Sequence, residues 1–395
     1  MFDQDGRMRY NRGGGIEMPA APAIEVVESS RTRAGREFVD FPHRLYRGCP
    51  QWVPQFRRDI RMILDRKHPS FARAEARFFI ARKAGRVAGT IAAIDNAAYN
   101  AWHKTRMGHF YYFDCIDDRE VSHALCEAAF DWLRGRGLTR VMGPYGIGFM
   151  GMGALVDGFE HRAVMTMMNY NHPWYGPALE AEGFTKLRDQ LSMDIDVSRF
   201  RLPDRVRRVA EIALKRGSFE VPEFRTKRQL VERADALGKV YNESFQSHGD
   251  EFYPLSDGEI RQVTNDLITV ADPTLIKLLV SKGRIAGFIF GFPDLSAALQ
   301  RSRGRITPWG ILDLLLEYRR TRWLVVNGAG ILPQYQRLGG NALLYYMLEK
   351  IGTQKRYLHV DATQIAETTE LMLSDMKTLG AKVYKVHRLY QRSLL

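Results

Sequence analysis

Cysteine is scarce in this chain of 395 residues, which contains only Cys49, Cys115 and Cys126. These three form no CxxC pair, and no histidine cluster at metal-ligand spacing accompanies them. Because structural zinc sites need such spacings, the sequence predicts no bound metal. The low cysteine content also favours a reducing compartment over a secreted fold held by disulfides.

Long apolar runs are also absent. No stretch approaches the roughly 18 uninterrupted apolar residues of a transmembrane helix, so no such helix is expected. Residues 1–22 combine charges with a glycine run and contain no apolar segment of signal-peptide length. They predict a disordered tail, and we expect the protein to be cytoplasmic.

Basic residues outnumber acidic ones, 58 to 45, and the net charge of +13 favours polyanionic partners in general. Nucleic acid is one such partner, since eleven basic residues fall between positions 199 and 233. They are interleaved with acidic residues and form no recognition motif, so nucleic-acid binding is the weakest function considered. With 45% hydrophobic residues, the chain is long enough for two globular domains of about 200 residues.

Two pairs of similar segments indicate an internal repeat. The stretch "FFIARKAGRVAGTIAAI" at 78–94 resembles "LIKLLVSKGRIAGFIFGF" at 275–292, with their Gly-Arg turns 198 residues apart. A second pair, "ALEAEGFTK" at 178–186 and "MKTLGAKV" at 376–383, has its glycines 197 residues apart. Two matches at nearly one spacing predict an ancient tandem duplication.

The order of predicted elements is alike in both copies. Each has two helical segments, three strands, a long helix, another strand and a closing helix and strand. The long helix of the first copy is predicted at 119–135. In the second copy, the first helix is predicted at 228–246 and the strand after the long helix at 356–361. This order predicts an α/β fold in which a mixed sheet is flanked by helices. We expect a tail at 1–22 and two domains, at 23–198 and 199–395.

The stretch "ILPQYQRLGGNALLYY" at 331–346 places two glycines between a predicted strand and a predicted helix. A helix start exposes free backbone N–H groups and the positive end of a dipole, and glycines let an anion approach them. The stretch is neither a Walker A loop nor a dinucleotide fingerprint. A plain turn whose glycines only supply positive φ is the alternative interpretation.

This stretch resembles the coenzyme-A signature of GNAT-fold acyltransferases, with Gln336, Gly339 and Asn341 at its marked positions. Asn341 departs from the usual small residue. From about residue 25 to the end, the chain is similar to bacterial tandem GNAT proteins, a group that includes the bacterial ceramide synthase. The resemblance implies two tandem GNAT-like domains and an acyl-CoA co-substrate bound by Gly330, Ile331, Leu332, Gln336, Arg337, Leu338, Gly339, Gly340 and Asn341. The first copy lacks a matching loop, so 23–198 is predicted to have no cofactor site.

Two residues that many GNAT enzymes use are missing. The strand "WLVVNGAGIL" at 323–332 carries no carboxylate, and the usual tyrosine of the last helix falls near Met376. Polarisation of the thioester is therefore assigned to backbone N–H groups between Gly330 and Leu332. For a base, the polar stretch 242–255 offers His248 first and Glu251 second, because a histidine titrates near neutral pH. The end of the strand near Asp361, with Thr363 and Gln364, is a further option.

Residues 143–176 are dense in glycine, methionine and aromatic residues. Methionine is a pliable apolar lining, so the stretch predicts one wall of a lipid groove that lies between the domains and reaches Gly330. The methionines predicted to line this wall are Met150, Met152, Met165, Met167 and Met168. Packing against a core or a domain interface is the alternative. The polar residues predicted to orient an acceptor are Tyr145, Asn169, Tyr170, Asn171 and Tyr175, together with Tyr253.

An insertion at 294–323 contains "WGILDLLLEYRRTRW", in which apolar bulk precedes Arg319, Arg320 and Arg322. This composition is typical of a helix on an anionic membrane surface, although an ordinary helix with a basic end fits too. The resulting hypothesis is an acyl-CoA-dependent N-acyltransferase that transfers a long acyl chain to a sphingoid base or other amino lipid. The alternatives are an acetyltransferase of a small soluble amine, a non-catalytic acyl-thioester-binding scaffold and a nucleic-acid binder.

Overall fold

A computed structural model describes residues 21–148, 151–162, 168–246, 249, 252–354 and 357–395. In the first half of the chain, the described residues form these elements in order: β1 (Ala23–Val27), α1 (Arg33–Leu45), α2 (Arg57–Leu64), β2 (Ala74–Lys83), β3 (Arg86–Asn96), α3 (Ala97–His103), β4 (Met107–Cys115), α4 (Arg119–Gly135), β5 (Arg140–Gly143), β6 (Ala154–Asp157), α5 (Tyr175–Ala181) and β7 (Thr185–Asp196).

The second half repeats much of this order. Its elements are α6 (Asp204–Lys215), α7 (Lys227–Val231), α8 (Ala234–Phe245), α9 (Asp257–Val270), β8 (Ile276–Ser281), β9 (Arg284–Pro293), α10 (Ser296–Ser302), α11 (Pro308–Arg320), β10 (Trp323–Ile331), α12 (Gly340–Gln354), β11 (His359–Ala366), α13 (Glu370–Thr378) and β12 (Lys382–Ser393). The predicted mixed α/β fold is confirmed. Of the short elements, α3, β6 and α10 were not predicted.

Every strand belongs to one twelve-stranded sheet, in the order β1-β2-β3-β4-β5-β12-β7-β11-β10-β9-β8, with β6 beside β12. The closing strand of each half lies against the other half: β7 pairs with β11, and β12 pairs with β5. These two strands also pair with each other. The sheet therefore runs through the boundary near residue 198, and the division into two domains there stays a prediction.

Helices cover both faces of this sheet. In the first half, α4 packs on one face through Val121, Leu125, Ala129 and Leu133, which follow one another at four-residue spacing and are fully buried. Such spacing puts an apolar stripe on one side of a helix, which explains why α4 forms where it does. Helices α1 and α2 cover the opposite face. In the second half, α12 covers one face and α8 the other.

The parallel strands of the second half separate part-way along their length. Strands β10 and β11 pair only as far as Val326 and Ala362, and both continue beyond that point with an irregular register. Gly328 and Gln364 adopt positive φ values of 94° and 52° where the strands diverge. In the first half, β5 ends at Gly143, one residue after its last pair with β4. The second half thus contains an opening between two parallel strands.

Candidate active site

A cleft of about 830 Å³ extends from the opening between β10 and β11 and is here called the cofactor cleft. It contains most of the predicted cofactor residues, namely Gly330, Ile331, Gln336, Arg337, Gly339, Gly340 and Asn341. Leu332 and Leu338 do not line it. Leu332 is buried and its N–H donates to the Ala286 carbonyl at 2.9 Å, whereas the Leu338 side chain is half exposed.

The two glycines at the start of α12, Gly339 just before it and Gly340 as its first residue, lie close to neighbouring elements. Gly339 has a φ of +85°, and a Cβ built on it would lie 3.1 Å from Val209 Cγ1 and 3.3 Å from Ala213 Cβ on α6. A Cβ on Gly340 would lie 2.9 Å from the side chain of Ile331. The glycines therefore let α6 and β10 pack tightly against this turn, in addition to leaving the helix start open to the cleft.

The start of α12 has the properties of an anion site. The first N–H groups of a helix have no partner within it, and Gly340, Asn341 and Ala342 line the cleft there. Arg205 and Arg337 also line it, and no acidic side chain in the described part of the chain forms an ion pair with either. The Asn341 side chain is already engaged, because it donates to Asp375 Oδ2 at 3.1 Å.

Strand pairing identifies which backbone donors face the opening. Residues opposite each other on antiparallel strands alternate between hydrogen-bonded and non-bonded pairs. The Leu332 N–H donates to the carbonyl of Ala286, the residue opposite it on β9, so these two residues form a hydrogen-bonded pair. Gly330 and Phe288, two residues along, therefore form the next hydrogen-bonded pair, in which the Gly330 N–H donates to β9. The N–H groups of Ala329 and Ile331 then point away from β9, towards the opening. Of the N–H groups predicted as donors between Gly330 and Leu332, only that of Ile331 faces the opening. The N–H group of Ala329, which was not predicted, faces it too.

A second cavity, of about 220 Å³, adjoins the cofactor cleft and is here called the chamber. The cleft and the chamber share Ala329, Ala366, Thr369 and Met372, so the two spaces meet at the opening between β10 and β11. Apolar and aromatic side chains from both halves form its wall: Tyr145, Met152, Tyr241, Phe245, Phe252, Tyr253, Leu255 and Ile365. A ligand can therefore extend from the polar cleft into an apolar space.

Gln364 joins the two halves at the chamber wall. Its side-chain amide donates to the Met152 carbonyl at 2.7 Å and accepts from the Met152 N–H at 3.4 Å. Its own backbone N–H donates to Ser192 Oγ at 3.3 Å. One side chain thus holds the segment after β5 against β11.

Comparisons with known proteins agree with this architecture. The chain is 26% identical over 373 residues to the bacterial ceramide synthase of Caulobacter vibrioides, spanning 91% of this chain and 94% of the relative. It is 25% identical over 367 residues to protein YghO of Escherichia coli, spanning 91% and 93%. No family model matches the sequence.

Among solved structures, a tandem GNAT protein from the clavulanic acid biosynthesis pathway superposes with a TM-score of 0.55 at 12% identity. That match covers 94% of this chain and 99% of the other. A GCN5-related glucosamine N-acetyltransferase region of a fungal β-N-acetylglucosaminidase gives 0.56 at 11% identity, covering 95% and 38%. The chain therefore has the fold of tandem GNAT proteins.

The first half of the chain has an occupied helix start where the second half has an open one. At the start of α4, the Asp118 carboxylate accepts hydrogen bonds from the N–H groups of Glu120 and Val121, at 3.0 and 3.3 Å. Lys83 pairs with the same carboxylate. The backbone groups that α12 leaves open to its cleft are therefore satisfied by protein atoms in α4.

The described residues do not bring the three predicted bases together at the cleft or the chamber. His248 and Glu251 lie outside the described residues. Asp361 is fully buried and lines neither the cleft nor the chamber, although Thr363, two residues further along β11, lines the chamber. Tyr384 donates a hydrogen bond to Asp361 Oδ2, and burial raises the pKa of the carboxyl group to about 7. A catalytic role for each of these residues stays a prediction.

Phenols are the titratable groups in the described chamber wall, which contains no carboxylate or imidazole. Burial raises the pKa of Tyr253 to about 12 and that of Tyr241 further, so both are hydrogen-bond donors at neutral pH. Tyr253 Oη lies 3.5 Å from Glu259 Oε1. Although burial raises the pKa of Glu259, hydrogen bonds from Ser70 and Ser256 outweigh it and keep the group ionised.

The predicted acceptor residues fall into two groups. Tyr145 and Tyr253 line the chamber. The other four, Asn169, Tyr170, Asn171 and Tyr175, line a separate cavity of about 90 Å³ beside β4, here called the first-half pocket. Their polar atoms bond to the protein itself: for example, Asn169 Oδ1 accepts from Tyr111 Oη at 2.7 Å. Acceptor binding by these four stays a prediction.

The predicted methionine wall is also divided. Met152 lines the chamber, whereas Met168 is buried in the core of the second half and borders the first-half pocket. The remaining residues of the predicted wall, Met150, Met165 and Met167, lie outside the described residues. A continuous lipid groove therefore stays a prediction, with Met152 beside the opening.

The sequence pattern did not identify Ala329, Thr369, Met372 or the α8 residues Tyr241 and Phe245 as site residues. The strand-end argument that selected Thr363 and Gln364 could also have selected Ala329 on the neighbouring strand. The aromatic pair on α8 has the four-residue spacing of an ordinary core helix, so nothing in the sequence marks it as a chamber wall.

One group of residues with metal-ligating side chains occurs in the described ranges: His123, Glu127 and Glu182. It lies on α4 and at the end of α5, and His123 Nδ1 already bonds to Glu182 Oε2 at 2.9 Å. None of the three lines the cleft or the chamber. Among the residues described, none of the helices is both long and apolar enough to cross a membrane.

Proposed function

We propose that this protein is an acyl-CoA-dependent N-acyltransferase that transfers an acyl chain from the thioester to a primary amine. The observation that carries the proposal is the junction of the cofactor cleft with the apolar chamber at the separated strands β10 and β11. Acyl transfer needs a donor site and an acceptor site that meet at the reacting carbonyl. This junction provides such a meeting point.

The donor fits the cofactor cleft. The open N–H groups at the start of α12, with Arg205 and Arg337, would hold the pyrophosphate, since a helix start and arginine side chains both bind phosphate oxygens. The thioester supplies an activated acyl group. The N–H groups of Ala329 and Ile331 would donate to its carbonyl oxygen as negative charge develops there.

The acceptor must present a neutral amine to this carbonyl. An apolar environment disfavours the ammonium form, so entry into the chamber lowers the amine pKa and assists attack. The amine nitrogen bonds to the carbonyl carbon and the amine proton passes to a base. The carbon–sulfur bond breaks, and coenzyme A leaves as a thiolate that takes up a proton to give the free thiol. His248 is the first choice for that base, and Glu251 and Asp361 are the others. We expect His248→Ala to lower kcat by about 10²-fold with little change in acyl-CoA affinity.

A long-chain amino lipid, such as a sphingoid base, is the acceptor that we favour. Two findings support it: the aromatic and apolar chamber wall and the 26% identity to a bacterial ceramide synthase. We also infer that the protein resides in the cytoplasm and contacts the anionic inner membrane face, where such an acceptor is found. The small chamber volume, about 220 Å³, favours the alternative of an acetyltransferase for a small soluble amine.

Release of free thiol separates these functions. The protein is incubated with acetyl-CoA, medium-chain acyl-CoA or long-chain acyl-CoA, each with a long-chain amino alcohol or with a small soluble amine. Thiol release with the long-chain pair supports the proposal, and release confined to acetyl-CoA with the small amine supports the acetyltransferase. If coenzyme A binds but no combination releases thiol, the protein is a binding scaffold and the proposed reaction is wrong.

A further inference from the structure

A second large cleft, of about 1000 Å³, is rich in arginine and lies away from the proposed reaction site. The end of α1, the segment 47–57 and the turn between α10 and α11 surround it. Six arginines line it, and we call it the arginine cleft: Arg44, Arg47, Arg57, Arg301, Arg303 and Arg305. It shares no lining residue with the cofactor cleft or the chamber.

Two of these six arginines form ion pairs with acidic residues of the described ranges. Arg57 pairs with Asp40, and Arg301 pairs with Asp313 and Glu317 at 2.8 and 2.6 Å. Within the described ranges, no carboxylate forms an ion pair with the other four. Burial, reinforced by the charges of Arg57 and its neighbours, lowers the pKa of His43 in the cleft to about 4. The cleft therefore has a positive charge that the described residues, including Asp40 in its wall, neutralise only in part.

The turn that presents Arg303 and Arg305 is held rigidly. Arg303 and Gly304 both have left-handed backbone conformations, with φ values of 51° and 66°. Gln300 Nε2 donates to the carbonyls of Pro50 and Trp52 at 2.7 and 2.9 Å. A Cβ on Gly304 would lie 2.2 Å from the Gln55 carbonyl oxygen, so only glycine fits there. The arginines are thus held on a fixed backbone.

Helix α11 follows this turn and exposes an apolar face. Trp309 is 80% exposed and Leu315 is 60% exposed, and Ile311, Leu312 and Leu316 are exposed beside them. The acidic residues of α11, Asp313 and Glu317, bond instead to Arg301. The helix ends in the exposed pair Arg319 and Arg320. An apolar helix face thus lies between two groups of arginines.

We propose that the arginine cleft binds the phosphate headgroup of an anionic phospholipid while the apolar face of α11 inserts into the membrane surface. This inference rests on the membrane contact included in the proposed function and assigns it a headgroup site. A helix with apolar residues flanked by arginines suits the boundary between headgroups and acyl chains. Arginine pairs with phosphate oxygens in a bidentate manner, and each basic residue near the surface strengthens attraction to anionic lipid.

Vesicle co-sedimentation tests the proposal. The protein should bind phosphatidylcholine vesicles that contain phosphatidylglycerol, bind phosphatidylcholine alone far more weakly, and lose affinity as salt rises. Arg303→Glu with Arg305→Glu should weaken binding at least about tenfold. The control pair, Arg86→Glu with Arg284→Glu, changes two exposed arginines at the hairpin turns and the net charge by the same amount. Trp309→Ser with Leu315→Ser should remove the binding that persists at high salt.

Further measurements distinguish other ligands. If both arginine pairs weaken vesicle binding equally, the cleft is not a headgroup site and the proposal is wrong. Binding of inorganic phosphate that requires Arg303 and Arg305, without an effect of these residues on vesicles, would assign the cleft to a soluble phosphate compound and overturn it. The proposal would also be overturned if the protein dimerised in solution and Trp309→Ser abolished the dimer while vesicle binding persisted.

Thiol release separates this proposal from the proposed function. The Arg303 and Arg305 double variant should keep wild-type thiol release with the acceptor that the wild type uses, supplied without vesicles, which also shows that it is folded. Loss of vesicle binding with intact thiol release is the expected pattern for this variant. If the wild type binds anionic vesicles through these arginines but never releases thiol, the headgroup site stands and the acyltransferase mechanism fails.

Discussion

At the scale of single residues, Asp361 shows how burial opposes ionisation. The carboxyl group is fully buried on β11, and burial raises its pKa to about 7, despite the hydrogen bond from Tyr384 and the charge of Lys385. Its Oδ1 has no hydrogen-bond partner within the described residues. A raised pKa means that the folded protein holds a proton that the unfolded chain releases in mildly acidic solution.

The first prediction concerns the stability of the protein against pH. Between the ordinary pKa of 3.8 and about 7, the folded state binds more protons at Asp361 than the unfolded state. The free energy of unfolding should therefore fall as pH rises through this window, and Asp361→Asn should make the fall shallower. Urea unfolding at several pH values measures this dependence of the free energy of unfolding on pH. Asp131→Asn, at an exposed position, is the control, and a wild-type slope in the Asp361→Asn variant would contradict the prediction.

The second prediction concerns the anion site at α12. Gly339 is a poor position to test because any side chain there would strike α6. Arg205→Glu with Arg337→Glu leaves that packing intact and places negative charge in the cleft. Coenzyme-A affinity should fall at least about tenfold, which is about 1.4 kcal/mol. Calorimetric titration measures it, with Arg284→Glu as the control, and unchanged affinity in the folded double variant would remove both arginines from the site.

At the scale of secondary structure, local patterns predicted some elements closely and misjudged others. Helix α4 was predicted at its observed bounds because its apolar stripe and the Asp118 cap are both local signals. The helix predicted at 228–246 is two helices, α7 and α8, separated at Glu232 and Arg233. The strand predicted at 356–361 begins at His359 and runs to Ala366, through the irregular backbone at Gln364.

The candidate site was only partly predictable, because some of its residues are close together in the sequence and others are not. The turn before α12 is a short continuous motif, so most of the cofactor cleft could be located from the sequence. The chamber instead brings together Tyr145, Tyr241 and Gln364, which are far apart in the chain. Their proximity depends on which strand lies beside which in the sheet, and hydrophobic periodicity carries no information about that order.

The third prediction concerns Gln364. Gln364→Ala removes two hydrogen bonds to the backbone of Met152. The N–H and carbonyl of Met152 then lack these partners. The free energy of unfolding should fall by about 1–3 kcal/mol, and kcat should fall more than coenzyme-A affinity because the chamber wall moves. Chemical unfolding and thiol release measure the two effects. Gln262→Ala, whose amide bonds to Asp266 on the surface of α9, should change neither. Equal behaviour of both variants would exclude the positioning role.

At the scale of the whole molecule, the exchange of closing strands makes the two halves depend on each other. Without the second half, β5 and β7 both lose β12, and β7 also loses β11. Strand edges left unpaired in this way promote aggregation. The same exchange places Tyr145 and Met152 of the first half opposite Thr363 and Gln364 of the second, so the chamber exists only in the joined molecule.

The last prediction therefore concerns cutting the chain between the halves. A protease site inserted between Ser198 and Arg201, an exposed segment after β7, should allow cleavage without separating the fragments. Because each fragment contributes a strand to the other's part of the sheet, they should co-elute in native buffer and keep coenzyme-A binding, and should separate in denaturant. Residues 21–198 expressed alone should show no cooperative unfolding transition. Fragments that separate in native buffer and each unfold cooperatively would show instead that the halves fold independently and that strand exchange adds little to their association.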